Sequence, residues 1–194
     1  MIKFKFFLAV IFVLVGFISS AQNKYERESR ISKSEFPIRA LETLTPYIED
    51  AKKIKFYHEV DSVKQSFETK FKKGRLRYSV EFNTKGELED VEFLIGENDI
   101  PNESWSKIED YLNTNFQKVR VKKIQQQYPV GNSDYSVILK EAFQNLILDY
   151  INFELVFSAK NSKGFQTYEA LFNSTGTLVK LRQSFSPKYD HLLY

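Results

Sequence analysis

One motif is written twice in the chain, and it constrains the fold more than any other feature. Tyr78-Ser-Val-Glu-Phe82-Asn83-Thr84-Lys-Gly86-Glu-Leu88 returns as Tyr168-Glu-Ala-Leu-Phe172-Asn173-Ser174-Thr-Gly176-Thr-Leu178. Both copies read Y-x-x-x-F-N-[TS]-x-G-x-L, and a Lys-Gly pair (Lys73-Gly74, Lys163-Gly164) precedes each. Tyr78, Val80 and Phe82 alternate at the strand period, so they share one face. Asn83 to Gly86 is turn chemistry, with Gly supplying a positive φ at no steric cost. The motif is therefore strand, tight turn, strand.

What surrounds the motif is doubled too. Phe36-Pro37 opens a helical stripe of Ala40, Leu41, Leu44, Tyr47 and Ile48, with Pro in the first turn where its missing N–H costs nothing. Pro46 predicts a kink or two short helices. Four strand-like runs follow: Lys53–Glu59, Ser62–Phe71, Arg75–Phe82 and Glu87–Ile95. Then Ile100-Pro101 starts again, with Trp105, Ile108, Tyr111, Leu112 and Phe116 each 64 residues after Leu41, Leu44, Tyr47, Ile48 and Lys52, of which only the last pair loses its apolar character. The spacing grows from 65 to 90 residues between the first and second strands of the second unit, which predicts an insertion of about 25 residues over 128–152. Inside it, Ser133 or Asp134 can cap a helix. The expected fold class is α+β: two tandem α-β4 repeats, 36–95 and 100–185. The antiparallel sheet carries helices on one face and leaves the other to solvent.

The flanks read differently. A short basic stretch, the apolar run Phe6 to Phe17, and Ser19-Ser20-Ala21 form a three-part secretory signal over 1–21. Polar residues 22–35 read as a flexible arm, and 186–194 as a tail. Removing Lys3 and Lys5 with the signal lowers the net charge from +3 to +1. Such a chain is not built to collect nucleic acid or anionic lipid. The absence of cysteine excludes disulfides, Cys-based metal sites and a lipid anchor on cysteine.

Two α-β4 units behind a signal, each with the Phe-Asn-[Thr/Ser]-x-Gly hairpin at Phe82–Gly86 and Phe172–Gly176, resemble the PepSY-like, β-lactamase-inhibitor-like domains of exported bacterial proteins. The resemblance covers about residues 36–185. It implies two sheets joined edge to edge, helices on the convex side and a concave face that can grip a protein. The chain departs from that family in lacking the Cys pairs of the secreted β-lactamase inhibitors and in carrying the 128–152 insertion. No contact motif matches, so no binding residue carries over.

No catalytic set is legible. Neither of the two histidines, His58 and His191, has a ligand-spaced neighbour, and Ser104-Trp-Ser-Lys107 matches a Ser-x-x-Lys pattern by letters alone. Glu87, Glu89 and Asp90 read as a solvated strand edge. No cofactor and no metal site is expected. Tyr57, Arg75, Arg77, Arg120 and Lys122 fall on the face opposite the apolar positions. Tyr and Arg are enriched at binding hot spots, so these five are the candidate partner-binding residues. The expectation is an exported, monomeric, non-enzymatic module that engages an envelope or secreted protein. An envelope enzyme with a carboxylate site near the insertion, and a carrier of an apolar ligand, remain open alternatives.

Overall fold

The computed structural model describes residues 22–184 apart from Tyr25, Ser62, Val63 and Lys163, so the signal and the tail lie outside the described residues. The protein is α+β: one ten-stranded, almost wholly antiparallel sheet with three α-helices on one of its faces. In chain order the elements are β1 (Gln22–Lys24), β2 (Glu26–Ile31), α1 (Ile38–Leu44), β3 (Lys52–Asp61), β4 (Lys64–Lys73), β5 (Leu76–Asn83) and β6 (Leu88–Leu94). Then come α2 (Asn102–Asn115), β7 (Gln117–Pro129), α3 (Tyr135–Phe143), β8 (Asn152–Asn161), β9 (Gly164–Asn173) and β10 (Leu178–Ser184). Strand order is β1-β10-β9-β8-β7-β6-β5-β4-β3-β2, with β6 and β7 joining the two halves edge to edge.

The two motif copies take up the same local geometry. In each, the Asn backbone N–H donates to the carbonyl of the residue four on, and the Gly N–H donates back to the Asn carbonyl: Asn83 with Glu87 and Gly86, Asn173 with Thr177 and Gly176, all at 2.9 Å. Each Asn side-chain oxygen also accepts two turn N–H groups, from Lys85 and Glu87 or from Thr175 and Thr177. Gly86 and Gly176 both have positive φ, +75° and +81°. Phe82 and Phe172 are wholly buried. Matching bulges open β3 and β7, where Lys53 and Lys118 take left-handed φ of 57° and 52°.

The apolar core lies between helices and sheet. Ala40, Leu44, Ile108, Leu112, Ile138 and Leu139 meet Phe82, Phe93, Phe153, Phe157 and Phe172 in one cluster. Pro37 and Pro101 sit one position ahead of α1 and α2, at the N-caps. Pro46 ends α1, which continues as a 3-10 turn over Thr45–Tyr47. The inserted segment supplies α3, capped by Asp134, whose carboxylate accepts from the Ser136 N–H at 2.7 Å.

Residues 22–35, which their polarity suggests as a flexible arm, contain two strands. β1 pairs in parallel with β10, and β2 pairs antiparallel with β3, at opposite ends of the strand order. Only residue 25 separates them, and two residues span at most about 7 Å. The sheet must therefore curl until its ends meet. The Arg182 guanidinium on β10 lies 3.1 Å from the Asp61 carboxylate on β3, which ties the same seam through side chains. Curling also explains burial on the face without helices: Ser66, Ser79, Gln125, Val156, Ser158 and Glu169 all lie there and are buried. The polar face is thus the inside of a ring rather than an open surface.

Candidate functional site: the inner face and its basic end

The five candidate residues occupy two depths of this ring. Tyr57 is buried on the inner face, opposite Glu68, with the Lys70 ammonium 4.9 Å from its ring centre. Burial, with Glu28 nearby, pushes its phenol above the ordinary value. It is therefore a lining residue of the ring and not part of an exposed patch, because the curl covers it. Arg77 is exposed at the start of β5, opposite Lys72. Arg75 belongs to the β4–β5 turn, beyond the paired strand, and is exposed. Arg120 opens β7 opposite Ser158, and its guanidinium lies 4.8 Å from the ring centre of the half-exposed Phe165. Lys122 sits in the β7 bulge and donates to the Thr167 hydroxyl at 3.2 Å.

Antiparallel pairing puts the start of β3, β5, β7 and β9 and the end of β4 and β8 at one end of the ring. The stretches 52–55, 72–77 and 117–123 at that end hold Lys52, Lys53, Lys55, Lys72, Lys73, Arg75, Arg77, Lys118, Arg120, Lys122 and Lys123, and no Asp or Glu. The opposite end carries Glu59, Asp61, Glu81, Glu87, Glu89 and Asp90. Positive charge is thus concentrated at one end of the strands, where Asp50 ahead of β3 pairs with Lys73, and negative charge at the other, which also holds Lys64.

Between the two ends the inner face is an ionic lining. Lys70 lies 2.5 Å from Glu28 and 2.9 Å from Glu68. Burial alone would depress its ammonium, but the two carboxylates outweigh that and hold it above the ordinary range. Lys64 bridges Glu81 at 3.3 Å and Glu89 at 2.9 Å, Lys123 pairs with Glu154 at 3.4 Å, and Arg182 also meets Glu169. Asp90 and Glu92 share the side-chain amide of Gln127, at 3.3 and 3.0 Å. Burial pushes both carboxyls well above the usual carboxylate range; Glu92 and Glu81 add to it at Asp90, and Glu154 adds to it at Glu92. Sequence reading places Asp90 on a solvated strand edge because polar residues that alternate with apolar ones look solvated. The one available signal was the run Gln125-Gln126-Gln127, whose uncharged amides occupy the middle of the sheet.

The residues weighed for chemistry have structural partners. Ser104 is buried and its hydroxyl donates to the Ser174 carbonyl at 2.6 Å, tying α2 to the second hairpin. His58 packs 5.0 Å from the Phe67 ring and lies 3.3 Å from the Gln65 side-chain oxygen. Beside the insertion, a shallow depression of about 490 Å³ is lined by Asn83, Glu87, Glu89, Gly131, Asn132 and Ser133. Its two carboxylates are engaged by Arg39 (2.9 Å) and Lys64. The clustered carboxylates lie on the inner face of the ring instead of against the insertion. Among the described residues no group of three or more His, Cys, Asp or Glu has the geometry to hold a metal ion, and no helix is long and apolar enough to cross a membrane.

No family model matches the chain, and no curated protein matches it in sequence. Solved structures do match in fold. A DUF2874 family protein of Bacteroides ovatus superposes with a TM-score of 0.54 at 12% identity, over 81% of this chain and 94% of its own. A second DUF2874 family protein, from Bacteroides uniformis, gives 0.54 at 11% identity over 81% and 95%. A protein of Bacteroides eggerthii described as periplasmic gives 0.51 at 11% identity over 80% and 94%. These likenesses establish the fold.

Proposed function

We propose that the protein is an exported, periplasmic binding module without enzymatic activity, which engages an acidic protein partner at the basic end of its ring. The observation that carries this reading is the exposed set Arg75, Arg77, Arg120 and Lys122 at one end, in stretches without a single carboxylate. Phe165, half-exposed and stacked under Arg120, offers an apolar anchor of the kind found at binding hot spots. The secretory signal read at 1–21 supports export, and the periplasmic description of a fold neighbour agrees with it. We read the two α-β4 halves as tandem repeats of PepSY-like, β-lactamase-inhibitor-like type. The equivalent turns at Asn83 and Asn173 and the paired left-handed lysines support that reading. The mature protein acts as a monomer, without a cofactor and without nucleic acid.

The experiment is affinity capture from an envelope extract with the wild-type mature chain and with the Arg75→Ala/Arg77→Ala double variant side by side. A partner held by wild type, lost by the double variant and released as salt rises is the expected result, since exposed charges are screened within about 10 Å at 0.1 M salt. A partner that both forms hold equally would overturn the reading.

A further inference from the structure

The strand pairing leaves two sheet edges side by side. β2 is the last strand in the order, and one of its edges pairs with β3. Among the described residues no strand and no other main-chain hydrogen bond meets its opposite edge at Arg27, Ser29, Arg30 or Ile31. β9 shows the same on the far side. Its pairing with β10 stops at Thr167, opposite Ser184, so Gly164, Phe165 and Gln166 pair with β8 alone. The two edges border one lane. Lys24 pairs with Ser184, and the chain then runs on as β2 after residue 25, so the line of β10 beyond Ser184 passes between β2 and the start of β9. Two strand spacings, about 10 Å, separate the banks, which is the width of one added strand. The Gln166 side-chain amide donates to the Ser184 carbonyl at 3.2 Å and closes one end of the lane.

Both banks are basic on the inner face of the ring. On β2 the exposed Arg30 stands opposite Tyr57. On β9 the half-exposed Phe165 carries the Arg120 guanidinium 4.8 Å from its ring centre. Glu28, the one carboxylate in residues 27–31, is held by Lys70 at 2.5 Å. A sheet edge offers N–H and C=O groups in alternation, the pattern that the main chain of an extended polypeptide matches. We propose that this lane docks an extended acidic segment of a partner protein, added as a strand between β2 and β9. The segment's main chain bonds to the two edges, and its inward carboxylates face Arg30 and Arg120. The inference rests on the reading that the basic end engages an acidic partner, and it adds the way in which that partner is held.

Fluorescence anisotropy with the full mature chain tests the inference. The probe is a labelled ten-residue peptide of alternating glutamate and threonine, blocked at both ends. A second peptide has the same sequence with alternate main-chain nitrogens methylated, which removes N–H donors and keeps every charge. Saturable binding of the first, and at least tenfold weaker binding of the second, is the expected result. Amide exchange should slow in residues 27–31 and 164–166 when the first peptide is bound. Arg30→Glu should weaken that peptide at least tenfold with the melting temperature unchanged; if Arg30→Glu fails to fold, Arg30→Gln carries the comparison. Arg75→Ala/Arg77→Ala should leave peptide binding unchanged, since neither side chain lies on the lane. Binding that needs Arg75 and Arg77 and ignores methylation would overturn strand addition and leave the basic-end reading standing. No saturable binding, equal binding of the two peptides, or a dimer of the free chain that the peptide dissociates would each overturn the inference. So would binding only to a chain that ends at Ser184, which would make residues 185–194 the occupant.

Discussion

A Cβ on Gly176 would lie 2.3 Å from the main-chain carbonyl oxygen of Ser104, and one on Gly86 would lie 3.0 Å from the main-chain nitrogen of Ala40. Each hairpin turn is thus pressed onto the first turn of the helix in its own half. Side chains at these glycines are excluded twice over, by positive φ and by the helix backbone. Gly176→Ala should be the more damaging change, because the clashing atom is backbone at a distance no real Cβ shows. We expect about 2–4 kcal/mol for Gly176→Ala and about 1–3 kcal/mol for Gly86→Ala in chemical denaturation. Gly86→Val should exceed Gly86→Ala. Near-wild-type stability for Gly176→Ala would refute the contact.

Phe82 and Phe172 have no exposed surface and sit beside these turns. Phe82→Ala and Phe172→Ala should each cost about 3–5 kcal/mol, the range for truncating a core Phe. A loss below about 1 kcal/mol in urea unfolding would place the residue outside the core.

Asp90 and Glu92 predict an unusual pH profile. Their carboxyls titrate higher in the folded chain than in the unfolded one, chiefly because burial disfavours the charge. Over that interval the native state binds more protons, so these groups subtract stability as pH rises from the ordinary carboxylate range through the raised folded values. The penalty is absent below the unfolded values and complete above the folded ones. Asp90→Asn/Glu92→Gln should therefore raise stability near pH 8. It should leave stability near pH 4 almost unchanged. Urea midpoints measured across this range check the slope, and a double variant less stable at pH 8 would contradict it.

Arg182 joins two carboxylates, Asp61 across the seam and Glu169 on β9. Removing one partner of a buried ion pair leaves charge uncompensated, so Arg182→Ala should cost about 3 kcal/mol. Amide exchange should quicken first in β10 and β3. Uniform protection across the seam in the variant would show that Arg182 does not hold it.

Arg75→Ala/Arg77→Ala should change stability by less than about 0.5 kcal/mol, as expected of exposed positions away from packing features. The same variant should lose the partner sought above. A clear drop in melting temperature would mean that these side chains do structural work.

Where apolar residues keep a period, the sequence is a good guide. The Tyr78, Val80, Phe82 alternation, the Ala40–Leu44 and Ile108–Leu112 stripes, the Pro46 break and the Asp134 cap all have local physical causes and all appear in the structure. What was not legible depends on curvature. Glu26-Arg27-Glu28-Ser29-Arg30 has no apolar period, and the strand it forms is settled by pairing with β3, far away in sequence. Tyr57 and Asp90 alternate as solvent-facing residues would, and only the closing of the sheet covers them. Among the candidate residues, Arg77 and Arg120 lie in paired strands and Lys122 in the β7 bulge, while Arg75 departs because β5 begins at Leu76, one residue later than the strand pattern suggests.

The seam also sets an order of events during folding. Gln22–Lys24 needs Arg182–Ser184 as its partner, so the first described strand of the chain waits for the last. Until then β10 presents an unpaired edge, the state in which sheets recruit strands from other chains. Contacts this distant in sequence form slowly. The vulnerable species is therefore a nearly complete ring with its first strand undocked. A chain that lacked residues 22–31 would keep its core and both hairpins and lose its protection against edge-to-edge association.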